Sequence, residues 1–348
     1  MKNRFFSHQP PMSTTQPTLP SSSREAGRNI GVNPPETALT KRGQTRLPRS
    51  LIMVSVVMST ALSGWNSPVD ANPLGWDFEA DGQPEVGKPA PGFRCSGNCP
   101  VISTEVARDG RASLKSVVDR INSETMYRTE VRPHADVVDL DRNRGEATTD
   151  YWFGFSLYVP SPYPVLKNPI YEIFFQIHSS PPDGMTAAEY EGGSPPLEMN
   201  VKPESSESGA IRVKLRAMEM PYPQMIDNNA RLVFNGDIAS YKTDRWIDFV
   251  VHTRFDYGSA GFTQIWVDGV LALDYKGKTY YNGHGDPYPK FGIYNGWRTR
   301  DIDEPVTKRT LFHDGYRIAW GNAGSFAAVS PGTNSARPIL APVLRKVN

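Results

Sequence analysis

Cysteine is scarce in this chain. Only Cys95 and Cys99 occur, in the run Cys-Ser-Gly-Asn-Cys, and no second Cys pair or His cluster completes a metal site. That leaves half a metal site or a small disulfide loop, and in an exported protein the loop is the better reading. A ring so short adds little entropic stabilisation, so its expected role is local pinning. An excess of one charge is also missing: 38 basic residues face 37 acidic ones, a formal net charge of +1. No global field therefore favours nucleic acid or an anionic membrane. Attraction for an anionic polymer has to come from a local cluster of cations. Long amphipathic helices and internal repeats are lacking too. Aromatics at 11%, with 29 Gly and 31 Pro, instead suggest many strands joined by turns.

Residues 1–48 are rich in Ser, Thr, Pro, Gln and Arg and have no apolar periodicity, which predicts a disordered leader. The apolar run from Leu51 to Leu62 follows Lys41, Arg42, Arg46 and Arg49, and Val69-Asp70-Ala71 offers a cleavage site. Residues 49–71 therefore read as a signal peptide. The run at 50–64 is short for a membrane span, and the long leader leaves retention as an anchor open. A secreted or periplasmic protein is expected either way. Residues 72–325 read as one domain and 326–348 as a flexible tail. Within the domain, period two recurs. Ala112, Leu114, Ser116 and Val118 alternate after an Asp109-Gly110 turn; Phe153, Phe155, Leu157 and Val159 alternate up to Pro160; Ile211, Val213 and Leu215 alternate with Arg212, Lys214 and Arg216. Asp268-Gly269 between two apolar runs marks a hairpin with a type I′ turn. About 250 residues of short strands predict an all-β, two-sheet jelly roll, a concanavalin-like sandwich. Ser180 to Ser194 reads as a long loop.

Three short strands carry polar residues on one face. In Arg128-Thr129-Glu130-Val131-Arg132 the arginines and the glutamate point one way. In Phe175-Gln176-Ile177-His178, Gln176 and His178 share a face. In Lys290-Phe291-Gly292-Ile293-Tyr294-Asn295, Lys290, Gly292 and Tyr294 align, and the glycine leaves room for a ligand to approach the backbone.

In that order, these three strands resemble the signature strands of alginate-lyase-type jelly rolls. The surrounding Trp246-Ile247-Asp248 and Trp266-Val267-Asp268-Gly269 are similar to segments of the related heparin lyase I and glucuronan lyase group. The resemblance covers roughly residues 75–320. Pro289 before the lysine and Gly296-Trp297 after Asn295 depart from the alginate-lyase pattern and bear on the substrate more than on the reaction. The resemblance implies a polysaccharide lyase that acts on an acidic, uronate-containing glycan (alginate, glucuronan or heparin-like) by β-elimination. Its implied catalytic set is Gln176, His178, Arg128 and Tyr294; Arg132, Lys290, Asn295, Lys214 and Arg216 are candidates for substrate binding. The chemistry suits those residues. Gln176 and Arg128 can neutralise the uronate carboxylate, which stabilises the enolate-like intermediate. His178, ordinarily near ~6.5, or Tyr294, near ~10, can exchange the protons, and both assignments stay open. No cofactor is required, a structural calcium is left open, and a monomer without nucleic-acid partners is expected.

Blander readings stand beside these. His178 alone fits a satisfied structural histidine, and Glu130 fits an ion-pair spacer for its arginines better than an acid. Arg212, Lys214 and Arg216 fit a solvated strand face as well as a subsite. Tyr280, Tyr281, Tyr288 and Trp297 fit packing as well as sugar stacking. His134, His252, His284 and His313 have no evident partner. The rival functions are a lectin-like binding protein, a structural surface protein, and a sandwich-type glycoside hydrolase. The hydrolase requires two carboxylates across the bond, and no Glu-x-Asp-x-x-Glu strand is found. Intact-mass analysis of the exported chain is expected to show an N-terminus near Asn72 and a mass two hydrogens lighter for a Cys95–Cys99 bond. Two free thiols would sink the disulfide reading.

Overall fold

The period-two segments form strands because each has one apolar face to bury and one polar face to leave out. The computed structural model describes residues 74–76, 78–79, 86–90, 92–119, 128–133, 150–165, 172–181, 185, 194–219, 231–294 and 308–332. The strands in chain order are β1 (Leu74–Trp76), β2 (Phe93–Gly97), β3 (Val101–Ser103), β4 (Ser113–Asp119), β5 (Arg128–Pro133), β6 (Asp150–Tyr158), β7 (Glu172–Ser179) and β8 (Leu197–Pro203). They continue with β9 (Ser208–Ala217), β10 (Arg231–Lys242), β11 (Trp246–Arg254), β12 (Phe262–Val267), β13 (Val270–Lys276), β14 (Pro287–Tyr294) and β15 (Lys308–Trp320). One sheet runs β13-β12-β11-β6-β15-β4-β3, with β1 also paired to β15; the other runs β10-β9-β8-β7-β14-β5-β2. The chain crosses repeatedly between the sheets, which is the expected two-sheet jelly roll.

The sheets meet through the apolar faces that alternation assigned inward. Phe155 of β6 stacks on Phe175 of β7 at 4.7 Å between ring centroids, and Phe291 of β14 stacks on Tyr316 of β15 at 4.5 Å. Val131, Ile177, Val213, Leu215 and Ile293 join the same core. Polar ties also cross it. Thr129 Oγ1 donates to the Val117 carbonyl at 2.6 Å, and His313 Nε2 lies 3.1 Å from the Phe174 carbonyl. At the start of β7, buried Glu172 pairs with Arg309 of β15 at 2.7 Å and accepts from the Tyr163 hydroxyl. Asp268 and Gly269, at φ 49° and 79°, make the expected tight turn between β12 and β13. Cys95 and Cys99 are joined, and the loop they close lets the Asn98 amide donate to the Arg128 carbonyl at 3.2 Å. The pinning is therefore of the edge strand β2 against β5.

Residues 1–71, expected to hold the leader and the signal segment, lie outside the described residues. Most of the 180–194 loop does too. The domain ends later than the sequence suggested. Residues 326–329 form a helix, α1 (Phe326–Val329), capped by Ser325 and packed through Ala328 and Val329 on Val250 and Ala319. Gly154 makes this docking fit, because a Cβ there would lie 1.7 Å from the Val329 carbonyl oxygen. A chain ending at Ser325 is expected to lose about 3 kcal/mol relative to one ending at Gly332, from the apolar burial forfeited. Urea titration of the two truncations checks this, and equal midpoints would return residues 326–332 to the tail.

Candidate active site

The three polar-faced strands are direct neighbours, in the order β7-β14-β5. Register then fixes which side chains meet on the outer face of their sheet. Gln176 of β7 lies between Lys290 of β14 and Glu198 of β8. Glu130 of β5 faces Gly292, Arg128 faces Tyr294, and His178 faces Tyr288. Directly paired residues of an antiparallel sheet point the same way. The face therefore gathers Arg128, Glu130, Gln176, His178, Lys290 and Tyr294, each on the side of its strand that alternation assigns.

Glu130 is the hub. It is 1% exposed, as is Gln176, and Lys290 is 6% exposed. Gln176 Nε2 donates to Glu130 Oε1, and Arg128 Nε lies 3.2 Å from Glu130 Oε2. Burial raises the proton affinity of Glu130 despite the pull of Lys290, Arg128 and Gln176. Of the two arginines that Glu130 is expected to orient, it pairs with Arg128, and Gln176 rather than Arg132 is its other contact. Lys290 is pushed down to about 8, chiefly by burial and further by Arg128 and Arg132, against the attraction of Glu130. The Arg128 guanidinium also lies over the Tyr294 ring, 4.1 Å from its centroid.

His178 stands at the other end of the constellation. Its ring stacks on Tyr288 at 5.5 Å, and Tyr288 also lies under Arg132 and Lys290 at 5.1 and 5.4 Å. Burial lowers the imidazole pKa to about 4, helped by Lys290, Arg128 and His284 against a backbone contact with Ser179. It is therefore neutral at ordinary pH. Nδ1 lies 3.0 Å from both the amide nitrogen and the carbonyl oxygen of Ser179. If Nδ1 donates to the carbonyl, Nε2 carries the lone pair of a base; if it accepts from the amide, Nε2 carries an acid's proton. His178 and Tyr294 approach from opposite ends of the face, with Gln176, Lys290 and Glu130 between them.

The remaining sequence expectations divide. Arg212, Lys214 and Arg216 belong to the same sheet, but Lys214 and Arg216 pair with Glu198 at 2.6 and 3.0 Å, and Arg212 pairs with Asp237 at 2.5 Å. Burial would raise the Glu198 pKa, but Arg216 and Lys214 hold it below the usual carboxylate value. Asn295, Trp297 and His134 lie outside the described residues. Tyr280 and Tyr281 are buried and donate to the Gly285 and Ser194 carbonyls, so they pack. His252 contacts Asp150 and Gln264, each at 3.1 Å. The reading of Gly292 needs correction. A Cβ there would lie 2.2 Å from the Thr129 carbonyl oxygen, and its φ is +138°. The glycine makes room for strand β5 and for a register shift in β14, not for a ligand.

The sequence does not show where two contributors lie: Tyr288 fits packing as well as sugar stacking, and His284 has no evident partner. Tyr288 is paired directly with His178, and the Pro-Tyr-Pro context gave no sign of that register. His284 reaches Ser179 Oγ at 2.8 Å from a turn that no periodicity places. Among the described residues, no group of three His, Cys, Asp or Glu side chains is arranged to hold a metal ion.

A profile for the family described as polysaccharide lyase matches residues 76–317. No curated protein matches the chain. Among solved structures, an endo-β-1,4-glucuronan lyase from the fungus Trichoderma reesei is 17% identical, covers 75% of this chain and 99% of its own, and superposes with a TM-score of 0.54. An alginate lyase from a Chlorella virus is 13% identical over 66% of this chain and 93% of its own, with a TM-score of 0.40. An alginate lyase from Pseudomonas aeruginosa is 14% identical over 60% of this chain and 82% of its own, with a TM-score of 0.38. At 17% identity the likeness to the glucuronan lyase is one of fold.

Gly292→Ala tests the strand contact. It is expected to cost at least about 2 kcal/mol, through a disfavoured φ and the clash with β5. Denaturant midpoints measure it, and wild-type stability would show that β5 and β14 can part without cost.

Proposed function

Because this chain belongs to the polysaccharide lyase family, we propose that it cleaves a uronate-containing acidic polysaccharide by β-elimination, leaving an unsaturated uronate end. The observation that carries the proposal is the gathering of Arg128, Gln176, Lys290, His178 and Tyr294 around buried Glu130 on one sheet face. Arg128, the second N–H of Gln176 and the Lys290 ammonium supply donors and charge for a carboxylate. Neutralising that carboxylate makes the adjacent C5 proton removable. A base then takes the proton, the C5–H electrons form the C4–C5 double bond, the C4–O bond breaks, and an acid protonates the leaving oxygen. His178 and Tyr294 fill those two roles, one each or both in Tyr294. A neutral His178 suits a base, because burial among cations keeps it unprotonated. Arg132 and Tyr288 extend the surface on the His178 side.

Export belongs to the proposal, since the apolar run and its basic flank fit a signal segment and a Cys95–Cys99 bond fits an oxidising compartment. Glucuronan is the first substrate to try, because the fungal structure with the same fold acts on it; alginate and heparin-like polymers follow.

The test is the ultraviolet absorbance of the unsaturated product, screened over these polymers. On the best of them, folded Tyr294→Phe, His178→Ala and Arg128→Ala are each expected to lose about a hundredfold or more in kcat, non-additively. Gln176→Ala should lose less, with Arg128 still present. Turnover near wild type in Tyr294→Phe would remove that hydroxyl from the reaction.

The pH profile has its own sign. His178 is neutral above about 4, so the acid limb of kcat/KM is expected well below the ordinary ~6.5 of histidine. Lys290 loses its charge above about 8, so activity should fall on the alkaline side there. In Lys290→Arg the charge persists and that limb should move upward. An alkaline limb unmoved in Lys290→Arg would show that another group controls it.

A further inference from the structure

Asn200 is out of place as a structural residue. It is 0% exposed, and neither its Nδ2 nor its Oδ1 has a hydrogen-bond partner. A buried polar group left without a partner costs roughly 1–3 kcal/mol, and a leucine of nearly the same shape would avoid that cost. Its direction is fixed by alternation along β8. Leu197, Met199 and Val201 enter the core between the sheets, so Glu198, Asn200 and Lys202 take the outer face. This is the face that carries Gln176, which is paired directly with Glu198.

The neighbours of Asn200 explain why it finds no partner within the protein. On one side is Ile173 of β7, and on the other is Arg212 of β9. A register slip between Ile173 and Phe175 sends both Phe174 and Phe175 into the core and leaves Ile173 out of it. Ile173 offers no hydrogen bond, and it is itself paired with Tyr294. The Arg212 guanidinium is held by Asp237. The amide thus lies one strand over from Gln176, about 5 Å across the sheet, and two residues along it, about 7 Å. The diagonal is about 9 Å, which a sugar next to the one held at Gln176 can span, toward the Tyr294 end.

We infer that Asn200 binds the sugar adjoining the one at which elimination occurs, hydrogen-bonding its hydroxyl groups through both ends of the amide; this rests on the polyuronate reading above. An amide donates and accepts, as a sugar hydroxyl does, and it carries no charge. The cations nearby, Arg212 and Lys214, are paired with Asp237 and Glu198, so this part of the face offers polarity rather than surplus positive charge. A sugar reaches the amide by displacing the side chains packed over it, and the two bonds then made offset that displacement. Gln176 Oε1, also buried and without a partner, marks the same need at the centre.

The test is Asn200→Leu in the full chain, with two readouts. Removing the unpaired amide is expected to raise the melting temperature by a few degrees. Losing the sugar contact is expected to raise KM for the best polyuronate about tenfold with kcat nearly kept, because such a contact acts on ground and transition states alike. Asn200→Ala should show the same KM effect without depending on how leucine packs. A lower melting temperature in Asn200→Leu would mean that the amide is bonded within the protein, and an unchanged KM in both variants would mean that no sugar uses it. Either result overturns the inference. If the wild type forms no ultraviolet product on any polyuronate, the lyase reading fails separately. The same variants are then compared by affinity electrophoresis in those polymers, where unchanged retention overturns the Asn200 contact as well.

Discussion

A carboxylate almost sealed from water governs this face of the molecule. Glu130 is 1% exposed, and a charge so placed is tolerable only when opposite charge and hydrogen bonds surround it. Arg128 and Gln176 touch it and Lys290 lies close enough to attract it, so the positions of all three depend on its charge. The dependence is mutual. Lys290 is buried among cations, and the attraction of Glu130 is what opposes its deprotonation. Three strands are therefore tied on the outer side by one cluster of charge, while on the inner side Phe175 of β7 and Phe291 of β14 stack on rings of the other sheet. The neutrality of His178 follows from the same arrangement, since burial and the surrounding cations together disfavour a further positive charge.

Away from this hub the sheet is built differently. Across β8, β9 and β10 the cations Lys202, Arg212, Lys214 and Arg216 are answered by Glu198 and Asp237. A chain whose basic and acidic residues nearly cancel thus cancels them locally here, while Arg128 and Lys290 gather at Glu130 and Arg132 adds its charge near Lys290. The local cluster that net charge could not reveal exists because adjacent strands contribute cations at matching register.

That register marks the limit of what the sequence discloses. Alternation alone placed Thr129, Val131, Phe175, Ile177, Phe291 and Ile293 in the core and their polar neighbours outside. The rule of period two is local and needs no tertiary information. Adjacency of the three strands came instead from resemblance, because nothing in the residues of β5 shows that it will lie beside β14. Pairing offsets were invisible for the same reason, and with them the contact between His178 and Tyr288 and the approach of His284. Gly292 shows how a correct residue yields a wrong cause. Its lack of a side chain was noted, but the atom that needs the space is a carbonyl on a strand 163 positions earlier in sequence (292 − 129). The slip that turns Ile173 out of the core interrupts the alternation on β7, and only the partner strand reveals it.

The docking of α1 has a consequence for how the domain can be held. Gly154 alternates with Phe153 and Phe155, which enter the core, so Val329 packs over it on the outer side of the eight-stranded sheet. The candidate site occupies the outer side of the other sheet. The helix α1 therefore sits on the side away from the catalytic strands. A solid support coupled at α1 would thus leave the face of the catalytic strands turned away from it.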